Sequence, residues 1–270
     1  MKAPGTKVTA LVLAASRRGR EDPVAAITGQ SHKCLVEVAG RAMIERVIEV
    51  LLDSGTCQRI LVSIESEAVL RRVPRLAEWL DAGTIEATES SANLADSILA
   101  LAEEGTPPLP LFITTADNVL HTPELVAGFI ADAMASDADV AVGKTAEMLV
   151  RGEFPDEPLG FFRFRDGGCS FCNLFLFSSA KSFEAAEAFR TGGQFRKKPW
   201  RILQAFGVLN LILYRLGRLS LDRAFQRISG KLGIRIQTVE VPYPFAPIDV
   251  DNPRTYDLSQ RILRKREASD

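Results

Sequence analysis

The sequence has few histidines, few cysteines and no long uninterrupted hydrophobic run. Its two histidines, His32 and His121, lie far from each other, and among its four cysteines only Cys169 and Cys172 form a C-x-x-C pair. This is weak support for a zinc or redox site, and it excludes a disulfide-rich scaffold. The longest apolar stretch, residues 202–214, is interrupted by polar residues and falls short of the roughly 18 residues that a membrane-spanning helix needs. We therefore expect a cytoplasmic protein that does not cross a membrane.

Net charge is also nearly absent, at -1, which argues against a general electrostatic attraction to nucleic acid. The total hides a strong segregation of charge. Residues 190–235 contain eleven Lys and Arg but one acidic residue, while the rest of the chain carries a net charge of -11. Such a basic segment is typical of a region that meets an anionic partner, for example a phosphate group or a lipid headgroup. A solvated helix face is the alternative for Arg223, Arg227 and Lys231, which recur every four residues.

Strand-like apolar runs alternate with helical periodicities through the first half of the chain. This βαβ rhythm predicts a mostly parallel sheet with helices on both faces, in which ligands bind beyond the carboxyl ends of the strands. The pattern predicts strands over residues 8–13, 60–64, 84–88, 109–114 and 138–142. It predicts helices over residues 43–52, 66–80 and 96–104, with Asp96 as the cap of the last, and a further helix capped by Thr122.

The second half of the sequence has a different character. Residues 161–165 and 171–177 flank the turn sequence Asp166-Gly167-Gly168, which predicts a hairpin. Residues 179–189 and 200–231 are compatible with helix, and a strand over 234–241 and a helix over 257–266 complete the prediction. We expect residues 1–270 to form one domain in which residues 179–233 are a basic helical insert.

Three segments contain residue types suited to phosphate and metal chemistry. The first is the small-residue turn Leu13-Ala14-Ala15-Ser16-Arg17 after the first strand, followed by Lys33 in a Lys-Cys-Leu-Val sequence. Small residues let backbone N–H groups approach an anion, and guanidinium and ammonium groups bind phosphate. The second is Thr115-Ala116-Asp117-Asn118, and the third is Asp249-Val250-Asp251-Asn252-Pro253. Both place carboxylates in loops after apolar runs, where a hard cation can be bound.

In this order the three segments resemble the signature of MobA-like nucleotidyltransferases, which share a Rossmann-like GT-A fold. The resemblance covers roughly residues 7–145 and 234–266 and implies an α/β/α three-layer sandwich with a mostly parallel sheet. It also implies a Mg²⁺-dependent enzyme that transfers NMP, with CMP or GMP favoured, from an NTP to a small phosphorylated acceptor and releases pyrophosphate. The acceptor would be a sugar, polyol or lipid-headgroup phosphate.

The resemblance further implies a role for each candidate site residue. Lys33, Arg17 and Asp117 are the predicted catalytic residues, and Asp117 and Asp251 are the predicted Mg²⁺ ligands, with Asp249 able to share or replace the role of Asp251. The expected nucleotide-binding residues are Leu13, Ala14, Ala15, Ser16, Ser91, Asn93 and Ser97. The expected acceptor-binding residues are Lys144, Asn173, Arg223 and Arg227. Capping of a helix is the alternative role for Ser97.

Other interpretations remain open at this point. Within the same enzyme class, the acceptor could be a molybdopterin. The departures from the family pattern, which include Ala15-Ser16 in place of a glycine and His32 in place of a proline, would also suit a nucleotide sensor without turnover. The basic insert could close over the acceptor, form a dimer contact or lie on a membrane surface. Nucleic acid is not an expected partner, and the sequence does not determine the oligomeric state.

Overall fold

The observed strands and helices follow the predicted alternation. The computed structural model describes residues 7–16, 21–91, 94–103, 108–190 and 208–268. The strands are β1 (Val8–Leu13), β2 (Glu37–Val38), β3 (Arg41–Ala42), β4 (Cys57–Ile64), β5 (Glu86–Glu89), β6 (Leu111–Thr115), β7 (Val140–Ala146), β8 (Phe162–Phe164), β9 (Gly167–Phe177) and β10 (Ile236–Glu240). The helices are α1 (Pro23–Thr28), α2 (Met43–Asp53), α3 (Glu67–Leu70), α4 (Pro74–Asp81), α5 (Leu94–Glu103), α6 (Pro123–Ala135), α7 (Glu147–Glu153), α8 (Ser182–Arg190), α9 (Val208–Arg215), α10 (Leu221–Leu232) and α11 (Pro253–Glu267).

The main sheet is mixed but mostly parallel. Its strand order is β10-β7-β9-β6-β1-β4-β5, and β8 pairs with β9. Strand β1 is parallel to β4 and β6, and β10 is parallel to β7, whereas β9 runs antiparallel to its neighbours β6 and β7. Helices cover both faces of this sheet, so the predicted fold class, an α/β sandwich with a Rossmann-like sheet, is confirmed.

The continuous apolar run in β1 reflects burial of the strand on both faces. Val12 packs with Ile48 of α2 and Phe129 of α6 on one side of the sheet, whereas Leu11 belongs to the core on the other side, with Phe183 of α8. Successive side chains of a strand point to opposite faces, so a strand covered on both sides is apolar at nearly every position. Thr9 is the one polar residue of β1, and it is buried too. The two cores hold β1 in the centre of the sheet.

Two local predictions about helices were wrong. Residues 66–80 form two helices, α3 and α4, because Pro74 occupies the first turn of α4 and has no N–H to continue α3. Helix α5 begins at Leu94, so Asp96 lies within its first turn and is not its cap. Residues 200–231, expected to be compatible with helix, contain α9 and α10, which are separated by a segment in which Gly217 is left-handed with φ of 63°. Residues 200–207 lie outside the described part of the chain.

The predicted insert lies between β9 and β10 in sequence and covers one face of the sheet. Phe183 of α8 and Ile228 of α10 are buried there, in the same core as Ile236 of β10. Because β10 then pairs with β7, the chain returns to the sheet after the insert. In the part of the chain that the structure describes, no helix combines the length and apolar character required to cross a bilayer.

Candidate active site

The first component of the site is the loop that follows β6. Asp117 lies two residues beyond the end of this central strand, at the edge of the sheet where parallel strands present their carboxyl ends. The Thr115 hydroxyl donates to Oδ1 of Asp117 at 2.5 Å, which orients the carboxylate. Thr122 caps α6 by accepting a hydrogen bond from the Leu125 N–H, and Pro123 occupies the first turn, as the sequence predicted. These local interactions fix the loop that carries Asp117.

The second component is the segment that precedes α11. Its Asn252 side chain accepts hydrogen bonds from the N–H groups of Arg254 and Thr255, and Thr255 completes the capping box. The cap places Asp251 immediately before the helix. The backbone N–H of Val250 donates to the Asp117 carbonyl oxygen at 3.1 Å, so the two aspartate-bearing segments are joined directly.

Lys33 lies between the carboxylates that these two segments provide. Its Nζ donates to Oδ2 of Asp117 at 2.5 Å and to Oδ1 of Asp251 at 2.6 Å. Burial favours the neutral amine, but attraction to the two carboxylates outweighs burial and raises the pKa of Lys33 above its usual value. The side chain of Asp251 is 61% exposed, whereas Lys33 and Asp117 are mostly buried. The cluster therefore opens to solvent on the Asp251 side.

Asp249 forms the buried side of the same cluster. The Asn173 amide donates to Oδ2 of Asp249 at 3.3 Å. Burial raises the pKa of Asp249 to about 7, and repulsion from Asp251 and Asp117 adds to this effect, while Lys33 opposes it. Asn173 has a left-handed backbone conformation, with φ of 51°, at an irregularity in the pairing of β7 with β9. Asn and Asp adopt this conformation more readily than other non-glycine residues.

The donor chemistry of this cluster fits a hard divalent cation. Asp117 and Asp251 each direct a carboxylate oxygen toward the same position, and Nζ of Lys33 occupies that position. Within the described residues, no three His, Cys, Asp or Glu side chains are already arranged as a metal-ligand set. Mg²⁺ commonly uses one or two carboxylates and completes its coordination with water and substrate phosphates. The residues present therefore suit an ion that arrives with a nucleotide.

The turn after β1 has most of its backbone donors engaged. The Ala14 N–H donates to the Ser63 carbonyl at 2.9 Å, and the Leu13 carbonyl accepts from the Ala116 N–H at 3.1 Å, which links this turn to the Asp117 loop. The Ser16 N–H donates to the Glu65 carboxylate at 2.6 Å. Ala15 is exposed at this turn. Glu65, which sequence reasoning missed, thus binds an amide that was expected to face phosphate.

The other predicted nucleotide-binding residues are less closely connected to the cluster. Ser97 is buried, and its hydroxyl accepts a hydrogen bond from the Ser91 N–H at 2.9 Å, so it orders the segment before α5. Ser91 itself is exposed. Arg17 and Asn93 lie outside the described residues, so their predicted roles stay predictions.

The structure does not bring the predicted acceptor residues together. Asn173 contacts the aspartate cluster, but Lys144 forms an ion pair with Glu240 on the adjacent strand β10. Arg227 donates to the Asn210 side-chain oxygen at 2.5 Å, within the insert, and Arg223 is exposed on α10. Acceptor binding by these residues stays a prediction.

His121 and Arg266, which the sequence did not indicate as site residues, connect the segments that carry the site. The buried His121 forms a hydrogen bond of 3.0 Å between Nε2 and the Ala246 carbonyl, connecting the loop after β6 to the segment that carries Asp249. Arg266 donates to the Leu120 carbonyl at 2.9 Å, and its guanidinium lies 4.1 Å from the ring centroid of Phe245. The sequence signal was present for His121 alone, since it is one of two histidines and lies four residues after Asp117.

The C-x-x-C pair contributes to the core. Cys169 and Cys172 are free thiols and are buried in β9. Burial raises the pKa of Cys169 to about 11 and that of Cys172 to about 12. Thiols with such pKa values stay protonated near neutral pH, and these two cysteines have the character of packing residues.

The fold and the site together define a class of protein. A Rossmann-like sheet with a lysine and several aspartates beyond its strand ends is characteristic of α/β enzymes that bind nucleotides. The sequence profile described as the MobA-like NTP transferase domain matches residues 10–205, more than half of the chain. The chain therefore belongs to the MobA-like NTP transferase domain family, and it is a nucleotidyltransferase. The family binds an NTP and a phosphorylated acceptor, and such enzymes commonly use a divalent metal.

Solved structures show the same fold. A hypothetical transferase from Thermus thermophilus has a TM-score of 0.74 at 24% identity, covering 93% of this chain and 100% of the other. CMP:2-keto-3-deoxy-manno-octonic acid synthetase, solved with CTP, has a TM-score of 0.58 at 13% identity over 97% and 100% of the two chains. The 2-C-methyl-D-erythritol 4-phosphate cytidylyltransferase of Thermus thermophilus has a TM-score of 0.54 at 16% identity over 96% and 100%. No significant match to a curated protein sequence was found.

Proposed function

We propose that this protein transfers CMP or GMP from the corresponding NTP to a small phosphorylated acceptor and releases pyrophosphate. The proposal rests on one observation. The Lys33 ammonium donates hydrogen bonds to both Asp117 and Asp251 at the carboxyl edge of the sheet. Cytidylyl transfer has additional support from the fold, since two of the similar structures are a synthetase solved with CTP and a cytidylyltransferase. The acceptor would be a sugar, polyol or lipid-headgroup phosphate.

The reaction requires positioning and charge neutralisation more than acid–base chemistry. An oxygen of the acceptor phosphate forms a bond to the α-phosphorus of the NTP, and the bond from that phosphorus to the bridging oxygen of pyrophosphate breaks. A phosphate monoester has a second pKa near 6 and is ionised at neutral pH, so no general base is needed to generate the nucleophile. Fixed cations and correct alignment of the two phosphates supply most of the acceleration.

Lys33 is the residue with the clearest chemical task. Its pKa is raised, so the side chain remains a cation throughout the reaction. A lysine ammonium is a compact charge on a flexible stem, which can exchange its carboxylate partners for a phosphate oxygen within the same pocket. Asp117 and Asp251 would hold a bound Mg²⁺, which would neutralise phosphate charge and align the donor and acceptor. Asp249 and Asn173 support this arrangement by fixing the segment next to Asp251.

The proposal also treats residues 1–270 as one catalytic unit with residues 179–233 as an insert. The pairing of β10 with β7 supports this, because the strand after the insert belongs to the same sheet as the strands before it. The pair Asp249 and Asp251 lies beyond the residues that the family profile matches. The C-terminal part of the chain is thus required to complete the proposed site.

The test is a pyrophosphate-release assay with CTP, GTP, UTP and ATP, each against a panel of sugar, polyol and glycerol phosphates and with molybdopterin as a further acceptor. The expected result is Mg²⁺-dependent release with one NTP and one acceptor class. Asp117→Asn should lower the rate by about 100-fold or more, which is the usual cost of losing one electrostatic contact to a transition state. Asp132→Asn, the same change on the exposed side of α6, should leave the rate unchanged.

Two other outcomes would lead to different conclusions. Turnover with molybdopterin alone would retain nucleotidyl transfer but replace the proposed acceptor class. The second outcome is a thermal shift with an NTP but no pyrophosphate release with any acceptor, in wild type and Asp117→Asn alike. This outcome would contradict the proposed function and support nucleotide sensing.

A further inference from the structure

Helix α9 in the insert presents an apolar face to solvent. Leu209 is 60% exposed, Ile212 is 49% exposed and Leu216, just beyond the helix, is 61% exposed. Residues three and four positions apart lie on the same side of a helix, so these three side chains form one face, here called the α9 apolar face. Exposed clusters of large apolar side chains are uncommon on soluble proteins and mark interaction surfaces.

The α9 apolar face is held in place by contacts on the opposite side of the helix. The Asn210 side chain is buried and accepts a hydrogen bond from Arg227 of α10. The ring of Tyr214 packs edge-on against Phe164 of β8, with centroids 5.3 Å apart. The Arg165 N–H donates to the Leu219 carbonyl at 2.9 Å, just after α9. The inward side of α9 is therefore anchored to the hairpin, which leaves the apolar side outward.

The surroundings of this face are strongly basic. Residues 208–235 contain six Lys and Arg and one acidic residue. Arg215 at the end of α9 and Arg218 just after it are exposed, and neither forms an ion pair with another described residue. Peripheral helices bind an anionic bilayer through two components, which are apolar side chains and cations without an ion-pair partner. Both are present here.

We propose that the α9 apolar face and the cations Arg215 and Arg218 dock on the surface of a membrane that contains anionic lipid. The three apolar side chains would enter the boundary between headgroups and acyl chains, and the arginines would lie at the lipid phosphates. A second copy of the chain is a poorer occupant, because a two-fold interface would place these cations opposite one another. This proposal concerns a surface outside the aspartate cluster and does not depend on nucleotidyl transfer.

The α9 apolar face is connected to the candidate site through the β8–β9 hairpin. The insert contacts the β8–β9 hairpin through Arg165 and Tyr214, and β9 carries Asn173, which contacts Asp249. The surface and the site are thus connected by one strand.

The test is co-sedimentation of the full chain with vesicles of phosphatidylcholine alone and of phosphatidylcholine with about 30% phosphatidylserine, at about 0.05 and 0.5 M salt, where screening differs severalfold. Wild type should bind the anionic vesicles and lose binding at high salt. The double variant R215Q/R218Q should bind about 25-fold more weakly, since each cation near the surface contributes roughly a factor of five. The triple variant L209Q/I212Q/L216Q should bind at least about tenfold more weakly.

Matched controls separate docking from damage to the fold. Ile27→Gln replaces an exposed apolar residue on α1, and Arg254→Gln replaces an exposed cation on α11; both should bind as wild type does. All variants should melt cooperatively and retain pyrophosphate release with soluble substrates. Wild type that fails to bind anionic vesicles at low salt would overturn the proposal. If the arginine variant loses binding but L209Q/I212Q/L216Q does not, the protein adsorbs by charge alone. That result would also overturn the proposal. A dimer in light scattering that only L209Q/I212Q/L216Q abolishes would identify the face as a self-association surface instead.

Discussion

Replacing His121 by glutamine should change how the stability of the protein depends on pH. The imidazole is buried below the Asp117 loop, and its Nε2 forms a 3.0 Å hydrogen bond with the Ala246 carbonyl. Burial lowers the pKa of His121 to about 4; Arg266 lowers it further, while the bond to Ala246 and the charge of Asp117 oppose the shift. The native protein therefore keeps this histidine neutral at pH values where an exposed histidine is charged.

The sign and size of the effect follow from the two pKa values. In the unfolded chain the imidazole has a pKa near 6.5, so between pH 6.5 and pH 4 the unfolded state binds a proton that the native state does not. Above pH 6.5 this group has no effect, and as the pH falls below that value stability is lost. A shift from 6.5 to about 4 corresponds to about 2 kcal/mol at pH 5 and about 3 kcal/mol by pH 4.

The assay is equilibrium denaturation of wild type and His121→Gln at several pH values from 7.5 to 4.5. Glutamine can still donate to the Ala246 carbonyl, so the two proteins should differ by no more than about 1–2 kcal/mol at pH 7.5. The free energy of unfolding of wild type should then fall relative to that of the variant by about 2 kcal/mol at pH 5. The two proteins are compared with each other at every pH because Asp249 is present in both. Its raised pKa makes stability decrease as the pH rises, which is opposite to the effect of His121. Parallel curves for the two proteins would refute the argument.

Substitutions at three further positions test the site and the fold. Lys33→Met should lower pyrophosphate release at saturating substrate by about 100-fold or more, and an unchanged rate would show that the ammonium does not contact phosphate. Arg46→Met should reduce the free energy of unfolding by about 1–3 kcal/mol, because the carbonyls of Val38 and Ala39 would lose the buried guanidinium that donates to them. Denaturant titration measures this, and an unchanged free energy of unfolding would contradict it. Asn173→Val should lower the free energy of unfolding by about 1–2 kcal/mol, because valine is strained at this left-handed position, where φ is 51°. Asn173→Gly should retain most of the stability. Equal melting temperatures for these two variants would contradict this prediction.

The sheet could be predicted well because its signal is local. Strand β1 has the bounds that its apolar run indicated, since burial on both faces favours apolar residues at all of its positions but Thr9. The hairpin of β8 and β9 was likewise marked by Asp166-Gly167-Gly168. The break between α3 and α4 was missed because helical periodicity continues through Pro74 and only the missing amide hydrogen of proline ends α3.

The site was predictable in composition but not in geometry. Lys33 and Asp251 are 218 residues apart, so no spacing rule connects them, and only the order of family motifs suggested that they meet. The interactions of His121 with Ala246 and of Arg266 with Leu120 arise from the packing of distant segments. The pairing of Lys144 with Glu240 depends on the register of β7 with β10, which neither strand specifies alone.

The distribution of the site along the chain also bears on synthesis of the protein in the cell. Chains emerge from the ribosome N-terminus first, so Lys33 and Asp117 are made long before Asp251, the partner that completes the cluster. A nascent chain that has folded β1 to β6 would have the sheet strands β5, β4, β1 and β6 together with Lys33 and Asp117, but neither Asp251 nor α11 to fix it. Under the proposed function, enzyme activity should therefore begin only after Asp251 has emerged from the ribosome, and a premature stop codon anywhere before position 251 should yield an inactive product.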